Sequence, residues 1–171
     1  MELIPGKLVT IHLVDENFLF ADDIKEKYLR NNKYQVKDYP STESFFIYVK
    51  EKASLFKEGQ IVIFAVNLEK PDKKITSDLI NRTVSLMPDI DIINICHEKE
   101  LEKGASSIRN GRIIHIINNE NALYRIENAI KWVLAKTNLE NKQKFFKAVF
   151  WVMIVSLIIT TTIISLRLFV Y

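Results

Sequence analysis

At 171 residues the chain is long enough for one domain with a real hydrophobic core. Its 24 basic and 21 acidic residues leave a net charge of +3, too balanced for a nucleic-acid binder, and no Lys/Arg run interleaved with aromatics occurs through residue 130. Cys96 is the sole cysteine, which excludes an internal disulfide and any metal site built on cysteine pairs, and no GxGxxG or GxxxxGK[ST] phosphate cradle occurs.

The N-terminal stretch reaches Asp15 without the long apolar core or small-residue cleavage site of a signal peptide. Within it, Leu8 to Val14, LVTIHLV, is a predicted strand. Phe18 to Arg30 follows as an amphipathic helix, with Leu19, Ile24, Tyr28 and Leu29 as its apolar positions. Tyr34 to Tyr39 is a short, partly polar strand suited to a sheet edge. Ser41 to Phe56 begins like a capping box, with Ser or Thr at the cap.

Ile61 to Ala65 is a buried strand, and Ile75 to Met87 a helix stopped by Pro88. Ile90 to Cys96 is the next strand. Glu98 to Asn110 is a short polar helix closed by Gly111. Ile113 to Ile117 is the last strand, and Asn121 to Leu134 the last helix of the domain. Five strands alternating with five helices predict a doubly wound parallel sheet, covered on both faces by right-handed crossovers.

Residues 135–147, AKTNLENKQKFFK, are polar and suit either a rigid helical stalk or a flexible tether. Ala148 to Leu166 then carries no charge and no proline, and as a helix spans roughly 28 Å, close to the hydrocarbon thickness of a bilayer. Thr160, Thr161 and Thr162 are tolerable there because each hydroxyl can bond a carbonyl one turn back. Trp151 and Tyr171 sit as interfacial anchors. A core helix of this length would show a polar face, and this one shows none. Lys136, Lys142, Lys144 and Lys147 precede the span and only Arg167 follows it, so the positive-inside rule places the preceding domain in the cytoplasm. The expected organisation is a domain at 1–135, a stalk or linker at 136–147, a single membrane span at 148–166 and a short tail at 167–171, making a tail-anchored protein.

The strand order and loop chemistry resemble a response-regulator receiver domain of bacterial two-component signalling, a flavodoxin-like fold, over roughly residues 7–135. Val14-Asp15-Glu16-Asn17 matches that family's hydrophobic-acid-acid-Asn turn, whose paired acids hold a divalent cation. IVIFAVNLEKPD corresponds to its third strand, with Ala65 where the family carries the phosphoaccepting aspartate. Cys96 falls on the family's Ser/Thr, Asn118 on its lysine, Asn119 on the following proline, and His115 on its switching aromatic. Gly111 matches the glycine before the fifth strand.

The resemblance therefore implies a degenerate phosphosite at Ala65, Cys96 and Asn118. A methyl group cannot accept phosphate, and the lysine that would pair with it is gone. What remains is Asp15 with Glu16, a weak Mg²⁺ candidate, or simply acids favourable at the start of a helix. Cys96 reads as small core filler rather than a reactive thiol. His12, His97 and His115 read as structural rather than as ligands. Phe45, Phe46, Tyr48 and Phe56 pack a helix on the sheet or form a protein-binding face.

The function expected is a non-catalytic, membrane-anchored pseudo-receiver at the bacterial inner membrane. It docks or scaffolds a protein partner that the sequence does not identify, it carries no cofactor, and a homodimer is compatible with it. By the family's habit, the docking surface is Glu98–Asn110 together with Asn121–Leu134. The alternative is a membrane-anchored sensor taking a divalent cation or small phosphorylated ligand at Asp15 and Glu16. An enzyme is not expected, because Cys96 and His97 are adjacent on a strand and point apart.

Overall fold

The computed structural model describes residues 9–17, 19–29, 34–52, 60–66, 68, 73–97 and 112–170. In chain order these form β1 (Val9–Asp15), α1 (Ala21–Leu29), β2 (Tyr34–Tyr39), α2 (Thr42–Lys52), β3 (Gln60–Ala65), α3 (Lys73–Leu86), β4 (Asp91–Cys96), β5 (Ile113–Ile117) and α4 (Ala122–Val170). The polar helix predicted at Glu98–Asn110, with Gly111, lies outside the described residues, as do Phe56 and Asn67.

All five strands are parallel, in the order β2-β1-β3-β4-β5. This is the doubly wound, flavodoxin-like arrangement. Its central strands are predominantly apolar on both faces, as is usual for strands covered by helices on both sides. In β1 every residue after Val9 is buried, and in β4 all are. The edge strand β2 is instead mixed, with Gln35, Lys37 and Asp38 interrupting its apolar residues, and only Tyr39 is fully buried. Charges there discourage further strand addition.

Alternation across the strands sorts the core into two layers. On one face Val14, Val62, Phe64 and Ile92 pack with Phe45, Phe46 and Val49 of α2 and with Leu79 and Ile80 of α3. The intervening positions Ile11, Leu13, Ile61, Ile63 and Ile93 point the other way and are equally buried, as are Ile24 of α1 and Ile126 and Ile130 of α4. At about 25 cal/mol per Å² of apolar area removed from water, each of these side chains contributes roughly 2 kcal/mol.

The helix starts follow from local hydrogen bonding. The periodicity predicts a first helix from Phe18, but Asp15 Oδ2 accepts the Phe20 N–H at 2.7 Å and α1 begins only at Ala21. At α2, Ser41 is the cap: its Oγ accepts the Ser44 N–H at 3.2 Å, while Ser44 Oγ donates to the Ser41 carbonyl at 2.8 Å. Serine thus stands where a capping box has Glu or Gln. Helix α3 ends at Leu86, ahead of Pro88, which has no N–H to continue it.

The chain divides into two compact units, Met1–Trp132 and Val133–Tyr171. Helix α4 is continuous through Val170, so residues 136–147 are helical. Between Ala122 and Leu166 it contains a stretch long and apolar enough to cross a membrane, and none of that stretch is buried within the protein. The threonines in it are satisfied inside the helix: Thr160 Oγ1 donates to the Ser156 carbonyl at 3.0 Å and Thr162 Oγ1 to the Ile158 carbonyl at 2.8 Å. Such back-bonding lets hydroxyls sit among apolar residues without an orphaned donor.

Candidate functional site

The strand order reverses direction between β1 and β3: the chain leaves β1 for β2 on one side and β3 for β4 on the other. The crevice at the carboxyl ends of these strands is where doubly wound sheets take ligands. The register puts Asp15 directly opposite Ala65 there. Both are buried, Ala65 completely and Asp15 to 2% exposure. One oxygen of Asp15 is used by the Phe20 amide, while Oδ1 is buried without a hydrogen-bond partner among the described residues. Glu16 is half-buried beside it and Asn17 exposed.

A carboxylate oxygen held out of water with no donor carries a desolvation cost, and such atoms in a folded protein call for a reason. A cation would satisfy it, but the donor set is thin. The position opposite supplies a methyl group, and among the described residues no group of three His, Cys, Asp or Glu side chains is placed to hold a metal.

The next strands bring Cys96 and Asn118 together. The Asn118 N–H donates to the Cys96 carbonyl at 2.9 Å. The Cys96 thiol points inward, 2% exposed, with Sγ 3.7 Å from the Ile116 carbonyl oxygen. The Asn118 side chain is exposed. Asn119 Oδ1 accepts the Asn121 N–H at 3.1 Å and its carbonyl accepts the Ala122 N–H at 2.8 Å, so this residue turns the chain into α4. Four of the positions singled out in the sequence thus lie at the same end of the sheet, Asp15 against Ala65 and Cys96 against Asn118, with Glu16 next to Asp15. No nucleophilic side chain stands at Ala65, and the thiol at Cys96 is buried.

A second polar constellation lies within the sheet, on the face covered by α2. His12 is fully buried in β1. Its Nε2 is 2.8 Å from Gln60 Oε1 and its Nδ1 3.0 Å from the Tyr39 hydroxyl. Because an amide oxygen only accepts, Nε2 carries the proton and Nδ1 accepts from Tyr39, the arrangement of a neutral imidazole. The ring stacks on Tyr39 and meets Phe45 edge-on, at centroid separations of 5.8 and 5.9 Å. Lys37 bonds the Tyr48 hydroxyl and lies 4.5 Å from the centre of that ring. Burial lowers the His12 pKa to about 4, with the Gln60 bond opposing and the Lys37 charge adding to the fall. Burial likewise pushes the Tyr39 hydroxyl up.

The sequence places His12 in an apolar strand but offers no sign of these partners. Tyr39 and Gln60 are 27 and 48 residues away, and only strand pairing brings them in. The one usable signal is parity: His12 shares a strand face with Val14, the face covered by the aromatic helix. His115 similarly meets Asn94 on the neighbouring strand, its Nδ1 3.4 Å from the Asn94 amide nitrogen. His97 is exposed just past β4. Phe45 and Phe46 are core residues, and Tyr48 is half-buried.

At the opposite edge of the sheet from β2, an open depression runs between β5 and the first turns of α4. Ile114, Ile116, Arg125, Asn128 and Trp132 line it, and Trp132 is half-exposed.

No protein-family model matches the chain, and no curated protein sequence does. Among solved structures, the chain is similar to one described as the crystal structure of adenylate cyclase from Rhodopirellula baltica. The two share 12% identity at a TM-score of 0.60, over 81% of this chain and 96% of that one. At that identity the likeness establishes a common fold.

Proposed function

We propose that the chain is a membrane-anchored, receiver-like signalling module that docks a protein partner and performs no phosphotransfer. The observation that carries this reading is the methyl group of Ala65 opposite Asp15 at the switch point of the sheet. Phosphoryl transfer to a protein side chain requires a nucleophile there and a cation beside it to spread the charge. The fold, with its five parallel strands and flavodoxin-like order, supports a receiver-like module. The apolar stretch of α4 supports a single pass through a membrane. The lysines that precede it favour a cytoplasmic domain at a bacterial inner membrane.

The depression between β5 and α4 is the docking surface this reading favours, since it combines exposed apolar area with Arg125 and Asn128. The test is incubation of the purified protein with acetyl phosphate and Mg²⁺, followed by intact-mass measurement. No added phosphate is the expected result. An acid-stable, base-labile acyl phosphate on this domain would overturn the reading.

A second reading is favoured by the unpartnered Oδ1 of Asp15: a sensor that takes a divalent cation between Asp15 and Glu16. A single buried carboxylate with one free oxygen, helped by a half-buried neighbour, would bind Mg²⁺ weakly. Thermal unfolding with and without Mg²⁺ separates the two readings. A shift that disappears in Asp15→Ala supports sensing, and equal curves favour docking.

A further inference from the structure

The C-terminal unit carries a second pattern besides its apolar length. Just ahead of Ala148, Lys142, Lys144 and Lys147 flank Phe145 and Phe146, and Phe150 and Trp151 follow within about a turn. In the helix all seven side chains are exposed. Phe145, Phe146, Phe150 and Trp151 are each more than 60% so.

Their directions identify what surrounds them. At about 100° per residue, Lys144 and Lys147 point roughly 200° and 140° around the axis from Lys142, and the four aromatics fall between them on all sides. A partner helix or a protein groove would cover one face and leave the other polar. A belt of cations and rings that encircles the axis fits an occupant that encircles it too, which is the headgroup layer of a bilayer.

Depth agrees. At about 1.5 Å per residue Lys144 and Lys147 lie within roughly 6 Å of Ala148, inside the Debye length of about 8 Å at physiological salt, and Lys142 at roughly 9 Å sits at its limit. Their stems can reach along the rings to bring the ammonium groups to phosphate level. Among residues 136–147 the only acid is Glu140, so the belt's charge is positive.

Resting on the membrane-anchored reading above, we propose that this belt recognises anionic phospholipid headgroups, so that the chain gathers acidic lipid around its cytoplasmic end. Trp151, inside the belt, is a built-in reporter. The full-length Trp132→Phe protein is reconstituted into vesicles whose lipids are brominated high on the acyl chain, where bromine quenches only a tryptophan in contact.

Quenching by brominated phosphatidylcholine in all-phosphatidylcholine vesicles shows that the span is inserted. Its absence overturns the anchor and this inference with it. In equimolar mixtures, brominated phosphatidylglycerol with plain phosphatidylcholine is compared with the reverse labelling. A lysine near an anionic surface is worth enough for about a fivefold preference. The expected result is therefore several-fold stronger quenching by the phosphatidylglycerol label. That preference falls towards unity in Lys142→Gln/Lys144→Gln/Lys147→Gln and on raising the salt to about 0.5 M, where screening is severe. Equal quenching by the two labels in the unaltered belt overturns the inference while leaving the anchor intact. A preference that survives the triple substitution overturns the assignment to these lysines.

Discussion

Acidification across the titration of His12 should unfold the domain far more readily than the surface carboxylates alone would. In the folded protein the ring is neutral, fully buried and held between Gln60 and Tyr39, and its pKa stands at about 4 against an ordinary value of 6.5. Below pH 6.5 the unfolded chain binds a proton there that the folded one refuses. Stability therefore rises with pH across this window and is complete only above it. The gap of about 2.5 units, at 1.36 kcal/mol per unit, amounts to about 3 kcal/mol lost between pH 6.5 and pH 4. That is a large share of a typical domain's 5–15 kcal/mol.

Equilibrium urea unfolding of the full chain in nonionic detergent, followed by near-ultraviolet circular dichroism, measures the loss. His12→Phe supplies the reference. It keeps an aromatic ring among Tyr39, Phe45 and Tyr48 but cannot titrate, and it pays a pH-independent penalty of about 1–3 kcal/mol for the orphaned Tyr39 hydroxyl. The wild type should be the more stable at pH 7.5 and should lose its advantage by pH 4.5. Parallel curves for the two proteins, or a His12 proton resonance titrating near pH 6.5 in the folded state, would refute the reasoning.

Ala65→Asp alone should remain unlabelled by acetyl phosphate and Mg²⁺ in intact-mass spectra, because Cys96 and Asn118 still supply neither the hydroxyl nor the cationic partner that phosphotransfer needs. Phe45→Ala, which empties a fully buried site against Phe64 and His12, should lower unfolding free energy by about 3–5 kcal/mol in urea titrations. Cys96 should react with iodoacetamide at least tenfold more slowly in the native protein than in urea, since its thiol is buried in β4; comparable rates would contradict the packing. Near pH 4 and below, the Lys25–Asp38 pair should also weaken. The lysine holds that carboxylate below the usual range, so its contribution is present above about pH 4 and fades as pH falls. Because the two side chains are 32% and 41% exposed, the effect of Lys25→Met on stability at neutral pH should be under about 1 kcal/mol.

The sheet was legible because its central strands are predominantly apolar runs bounded by turn residues, as strands buried on both faces are expected to be. Tyr34–Tyr39 could be placed at an edge for the converse reason, since Lys37 and Asp38 would be costly between two other strands. Boundaries were less legible. The first helix starts three residues later than its periodicity suggests because the Asp15 carboxylate takes the Phe20 amide, a bond that apolar spacing does not encode. The opposition of Asp15 and Ala65 could be stated from the sequence only through a resemblance; no local pattern links two residues in different strands.

The amino-acid sequence by itself determined two things about this protein. The succession of apolar strands and helices set an α/β fold, and the uncharged run from Ala148 to Leu166 set a helix able to cross a bilayer. Both are statements about composition and period along neighbouring residues, where burial leaves its mark directly. Tertiary structure decided the rest. Strand register placed a methyl group opposite a buried carboxylate, whose second oxygen has no partner among the described residues. The same register brought Gln60 and Tyr39 to a histidine in the first strand and held it neutral. Those contacts are made between residues that the chain separates by dozens of positions, so they exist only once the sheet has closed around them.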